Sequence, residues 1–234
     1  MNTTYQHIKV IGFDADDTLW VNETYFRDAE EEFAELLSQF ETKNKIDQEL
    51  FKKEIENLPT YGYGVKGFTL SMVEMALELS NFSISNKTIA HILNIGKRML
   101  NQEVELLPDV ENTLKKLSNK FKLIVITKGD LLDQERKLEK SNLLEYFHHI
   151  EVVSDKKEEN YKKVLNHLEI HPSEFLMIGN SLKSDVLPLI HINANAIHIP
   201  FHTTWQHEEA QVNTEMSKKY LTLKSINELL ELLD

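Results

Sequence analysis

The chain has 234 residues, 41% apolar and 27% charged, and no cysteine. A chain of this length can bury a sizeable core without covalent staples, and the lack of thiols excludes disulfides, thiolate metal sites and cysteine nucleophiles. The net charge of -12 repels nucleic acid and anionic lipid, so neither is expected as a partner, and a phosphorylated substrate would need cations supplied by the site.

The first ten residues, MNTTYQHIKV, have neither the basic start nor the apolar stretch of a signal peptide. No window approaches the roughly 20 apolar residues that span a bilayer, and a cytoplasmic protein is expected. HIKVIGFD (7–14) is short, β-branched and apolar, which predicts a buried strand. The segment 24–42 then places Phe26, Phe33, Leu36, Leu37 and Phe40 at helical spacing. Further helices are predicted near 46–57, 68–80 and 86–101, with Pro59, the glycines of 62–67 and Ser85–Asn86 at their edges.

From Pro108 helices and strands alternate. Helix 109–119 leads to strand 121–127, helix 130–141, strand 149–154, helix 158–169, strand 174–180, helix 183–191, strand 195–200 and a last helix near 223–233. This order predicts an α/β fold, a Rossmann-like parallel sheet with helices on both faces. Residues 1–20 and 105–234 would form that core, and 21–104 a helical insertion straight after the first strand. In open parallel sheets ligands bind beyond the carboxyl ends of the strands, so an insertion leaving from that edge is expected to act as a lid.

Polar residues stand at each strand's carboxyl end. The first strand ends in Asp14, Asp16 and Thr18, and the second in Thr127, followed by Lys128 and Gly129. The third ends in Ser154, Asp155 and Lys156, and the fourth in Gly179, Asn180 and Ser181, with Asp185 close behind. Any one of these could be a helix cap or a solvated helix start. Together, in this order, they converge on one edge of the sheet.

The arrangement resembles the haloacid dehalogenase superfamily of phosphohydrolases. DADDT (14–18) fits that family's Asp-x-Asp-x-Thr signature, LIVIT (123–127) its second motif, the lysine of VVSDKKEE its third and IGNSLKSD (178–185) its fourth. The insertion resembles the family's helical cap of the first type. The resemblance implies a Mg²⁺-dependent phosphatase acting on a small phosphorylated metabolite. Asp14 would attack phosphorus and form an aspartyl-phosphate. Asp14 and Asp185 would hold Mg²⁺ by their side chains and Asp16 by its backbone carbonyl. The Asp16 side chain would protonate the leaving oxygen and then deprotonate water. Thr127 and Lys156, with Lys128 beside them, would cradle the phosphoryl group, Lys157 being the alternative lysine. Thr18 would support the loop, and Asp17 would be a turn or capping residue. Asn180 departs from the pattern, standing where the family often has an acid. It is counted with the metal site as a residue that can orient a bound water, and weaker metal affinity is expected.

Other signals are weaker. Read as a calcium loop, DADDTLWVNETY has Leu19 where glycine is required and Tyr25 where glutamate is required, so that reading fails. GYGVKG (62–67) matches a dinucleotide glycine pattern but lacks the preceding apolar strand. It reads as a hairpin between two helices, or as a loop through which Lys66 binds the substrate's leaving group. His167 and His171 are four apart but lack a third ligand. The segment 198–209, with three histidines and Trp205, receives no catalytic role. The rival functions are a phosphomutase, a haloacid dehalogenase using the same Asp14 without metal, and a non-catalytic phospho-ligand module.

Overall fold

The computed structural model describes residues 5–233; residues 1–4 of the N-terminal stretch discussed above lie outside them. The chain forms two compact units. One holds the residues up to Glu23, Val104–Lys128 and Gln134 onward, and the other holds Thr24–Glu103 with Gly129–Asp133. These limits differ by a few residues from the expected 20/21 and 104/105 boundaries, and 129–133, expected in the core, clusters with the helical unit.

The first unit is an α/β sheet structure with strands β1 (Val10–Phe13), β2 (Lys122–Lys128), β3 (His149–Val153), β4 (Phe175–Gly179), β5 (Asn195–His198) and β6 (Leu221–Thr222). Their order is β3-β2-β1-β4-β5-β6, and every pairing is parallel. The strand order reverses at β1, which lies between β2 and β4. Such a switch point opens a crevice beyond the strand ends, and here the sequence places Asp14.

Successive strand side chains point to opposite faces, and the core divides accordingly. Ile11, Phe13, Leu123, Val125, Leu176 and Ile178 pack with α5 (Val110–Leu117), α6 (Leu131–Ser141) and α10 (Glu228–Leu232) through Leu114, Leu138 and Leu229. Val10, Ile124, Ile126, Phe175 and Met177 pack with α7 (Glu158–His167) and α8 (Leu187–His191) through Tyr161, Val164 and Leu189. Residues 19–21 and 105–107, where the insertion leaves and re-enters, pair through Leu107 N–H to Leu19 O and Val21 N–H to Glu105 O, both 2.9 Å.

The helical unit contains α1 (Glu23–Leu37), α2 (Lys43–Tyr61), α3 (Val65–Leu79) and α4 (Asn86–Asn101). It has a core of its own, built on Phe33, Leu37, Ile46, Leu50, Phe68, Met72 and Ile92. Ser85 caps α4, its hydroxyl accepting from Thr88 N–H at 3.1 Å. Pro59, read as an edge, lies inside α2. A proline one turn from the end forfeits a single ladder bond, and the helix runs on until Gly62, at φ 73°, closes it by donating to Leu58 O.

Two other expectations are corrected. The helix expected over 183–191 is a wide turn at Leu182–Val186 followed by α8, with Pro188 in its first turn, where a missing N–H costs least. The helix expected over 223–233 is confined to α10, and β6 and a short α9 (Thr214–Ser217) precede it. Among the described residues no helix is long and apolar enough to cross a membrane.

Candidate active site

The main-chain ladder places Asp14. Its N–H continues the sheet by donating to Ile178 O at 2.9 Å. The chain then turns: Leu19 N–H returns to Ala15 O at 2.8 Å, and Asp17 adopts φ 61°. The Asp17 carboxylate accepts the N–H groups of Asn22 and Glu23 at 2.8 and 3.0 Å, capping the start of α1. Thr18 donates its hydroxyl to Asp14 Oδ2 at 3.0 Å, which fixes the carboxylate's orientation.

Lys156, in the loop after β3, brings the strand ends together. Its ammonium donates to Asp14 Oδ1 and, at 2.7 Å, to Asp185 Oδ1. All three side chains are buried. Lys157 instead points to solvent and pairs with Asp155. Asp185 N–H closes on Ser181 O, and Ser181 N–H donates to Asp185 Oδ2 at 3.0 Å. The glycine of the IGNS stretch is required for this approach, because a Cβ at Gly179 would lie 2.3 Å from Asp185 Cγ. Thr127 is buried at the end of β2. Asn180 sits at the end of β4, its amide oxygen 3.5 Å from the Thr18 hydroxyl.

Electrostatics separate the carboxylates. Burial pushes the Asp14 carboxyl up to about 7; the Lys156 ammonium opposes this, and the Asp185 charge adds to it. Burial alone would lower Lys156, but its two carboxylates outweigh that and hold it charged. Asp16 behaves differently. Burial works against its charge, yet Lys137 Nζ, Gln134 Nε2 and Trp20 Nε1 donate to it at 2.9, 2.9 and 2.7 Å and hold it below the usual carboxylate range.

The sequence reading missed Gln134 and Lys137. They lie three apart on α6, on one helix face, and that spacing was the available signal. It also missed Glu208, which pairs with Lys128 at 2.5 Å. Lys128, expected on the substrate, gives its ammonium to Glu208 and, at 2.9 Å, to Ser184. Lys66 lies in the helical unit at the start of α3, paired with Asp130 at 2.7 Å.

The donor set fits Mg²⁺. Among the described residues no three His, Cys, Asp or Glu side chains gather as a metal cluster. Mg²⁺ does not require such a cage, since one or two carboxylates, waters and substrate oxygens suffice. Asp14 and Asp185 each keep acceptor capacity beyond the bonds described, and all the candidate donors, with the Asp16 carbonyl and the Asn180 amide, are hard oxygens.

The family model for haloacid dehalogenase-like hydrolases matches residues 8–193. The chain is 24% identical over 190 residues to the human N-acylneuraminate-9-phosphatase, covering 76% of this chain and 77% of that protein. It is 36% identical to the crystal structure of a haloacid dehalogenase-like family hydrolase from Xanthomonas campestris, with a TM-score of 0.85 over 97% of this chain and 92% of the other. A 2-haloacid dehalogenase from Pseudomonas syringae pv. tomato shares the fold at 18% identity, with a TM-score of 0.63 over 97% and 98% of the two chains.

Proposed function

From the premise that this chain belongs to the haloacid dehalogenase-like hydrolases, we propose that it is a Mg²⁺-dependent phosphatase of a small phosphorylated metabolite. The observation that carries the reading is the Asp14–Lys156–Asp185 arrangement at the sheet's switch point. Around it, four carboxylates (Asp14, Asp16, Asp185 and Glu208) face three ammoniums (Lys128, Lys137 and Lys156). The ammoniums do not outnumber the carboxylates, so these side chains alone give a phosphate dianion little net attraction. If bound, a divalent cation would be held by Asp14 and Asp185, the Asp16 carbonyl and a water oriented by Asn180, and would supply the positive charge that a phosphate dianion requires.

Asp14 is the nucleophile of this reading. Thr18 and Lys156 hold its two oxygens, so one carboxylate oxygen can be presented to phosphorus and carry the phosphoryl group as an aspartyl-phosphate. Lys156 compensates the charge that develops there, and Thr127 offers a hydroxyl at the adjoining strand end. Asp16 is the acid–base group of this reading: the carboxylate that Gln134 and Lys137 orient takes up a proton from solvent as the ester binds, gives it to the leaving oxygen and takes one from the water that releases phosphate. Lys66, from the glycine-containing stretch 62–67, is the residue proposed to bind the leaving group.

Phosphate release should be assayed with p-nitrophenyl phosphate and with a panel of phosphorylated metabolites that includes N-acylneuraminate 9-phosphate. Turnover that requires Mg²⁺, is abolished by EDTA and falls by about 10³-fold or more in Asp14→Asn is the expected result. Halide release from a 2-haloacid with phosphate esters untouched overturns the reading in favour of dehalogenase chemistry. Transfer of the phosphoryl group to a second hydroxyl identifies a mutase, and ester binding without turnover a binding module.

A further inference from the structure

We propose that Glu208 is a positioning residue for Asp185: its carboxylate staples the 181–185 turn to Lys128 at the end of β2, and so fixes the aim of an acid assigned to the metal. The inference rests on the reading above in taking the ion to be Mg²⁺. Glu208 comes from the 198–209 segment, which has no role in the proposed chemistry.

The contacts are specific. Ser181 and Ser184 both donate their hydroxyls to Glu208 Oε2, at 2.6 and 2.5 Å, while Lys128 donates to Oε1. The same serines frame Asp185. Ser181 N–H donates to Asp185 Oδ2, and Ser184 N–H donates to Ser181 Oγ at 3.0 Å. One bond thus separates the Glu208 carboxylate from the serine that holds Asp185. The segment touches the turn at two further places. His198 Nε2 lies 2.9 Å from Asn180 O, and Lys183 Nζ donates to His207 O at 2.6 Å. Ser181 and Ser184 are buried, and a buried hydroxyl without its partner is costly. An ionised carboxylate answers three donors at once, as only an acceptor-only group can. Glutamine would turn an NH₂ group toward either the ammonium or the serines. Groups that orient metal ligands commonly govern affinity by 10- to 100-fold.

The test uses the EDTA-treated full chain. Mg²⁺ is titrated calorimetrically into the wild type, Glu208→Gln and Glu208→Asp, and amide hydrogen exchange of 180–186 is read by mass spectrometry without metal. Glu208→Gln is expected to weaken Mg²⁺ binding by about tenfold or more and to speed exchange at 180–186 while the remaining strands stay protected. Glu208→Asp, which keeps the charge, is expected to recover part of both. Mg²⁺ affinity within twofold of wild type in folded Glu208→Gln overturns the inference, and so does unchanged exchange at 180–186. Exchange raised evenly across the sheet assigns Glu208 to general stability and overturns it as well. A wild type that takes up no Mg²⁺ instead overturns the metal-dependent reading, and the exchange measurement still decides the staple.

Discussion

Lys156 and Asp185 form an ion pair of 2.7 Å in which the lysine side chain is 2% exposed and the aspartate 1%. The same ammonium serves Asp14. Removing one partner of a buried pair leaves charge without compensation, which typically costs about 3–5 kcal/mol. Lys156→Met should therefore lower the stability of the metal-free protein by about that amount near neutral pH, as read by urea unfolding. Asp14 is already pushed by burial up to about 7, and loss of the ammonium raises it further. A carboxyl raised in the folded state binds protons that the unfolded chain releases, so the variant's deficit should grow as pH rises above about 7 and level off below it. Equal urea midpoints for variant and wild type would show that the ammonium does not offset the two carboxylates.

Lys137 sets the ionisation of Asp16. Burial opposes the Asp16 charge, and the Lys137 ammonium at 2.9 Å, with Gln134 and Trp20, overcomes it and lowers the carboxyl. Lys137→Met removes the largest of these favourable influences. An opposite charge at this distance is worth about 1–3 pKa units, so the pH–kcat profile should move to higher pH by about one unit. Both limbs move if Asp16 is first acid and then base, because each reports the same group. A profile that stays in place while kcat falls would remove Asp16 from proton transfer.

The residues at the strand ends were legible because each follows an apolar run whose period fixes where its strand stops. Asp14, Thr127, Lys156 and Asn180 could be located in this way, and the reversal of strand order at β1 brings them to one edge. Glu208 was not legible. It meets Lys128 across 80 residues of sequence, from a segment with no period, and nothing local marks the pairing. The same tertiary contact changes the reading of Lys128, which from the sequence alone looks like a free cation beside Thr127. The two-residue β6 is too short to show alternation, and the interruption before α8 arises where Pro188 starts a new helix. Lys137 and Gln134 were visible as one helix face, but the partner of that face was not.

Glu208 predicts an acid-sensitive contribution to stability. Burial would raise its carboxyl, yet Lys128 and the hydrogen bonds from Lys128, Ser181 and Ser184 pull it down to about 2. A carboxyl depressed in the folded state stabilises above its unfolded pKa, and that contribution is lost as pH falls through the folded value. The window here runs from about 4.5 down to about 2, and the difference amounts to about 3 kcal/mol. The stability gap between wild type and Glu208→Gln, measured by urea unfolding, should be level above pH 5 and narrow steadily below pH 4. A gap independent of pH would mean that the carboxylate is not held ionised by these partners.

Lys66 offers a clean separation of stability from recognition. Its pair with Asp130 spans 2.7 Å, with the two side chains 46% and 29% exposed. Pairs this exposed contribute about 0–1 kcal/mol, so Lys66→Ala should unfold within a few degrees of wild type. If Lys66 reads the leaving group, its loss removes a charged hydrogen bond worth about 1.5–3 kcal/mol. KM for the physiological substrate should then rise about tenfold or more with kcat little changed. Turnover of p-nitrophenyl phosphate, whose aromatic leaving group lacks the polar groups of a metabolite, should stay as in the wild type. That contrast distinguishes recognition from damage to the chemistry, because an injured reaction centre would slow both substrates alike. An unchanged KM on the physiological substrate would leave Lys66 with its ion pair alone and remove it from substrate recognition.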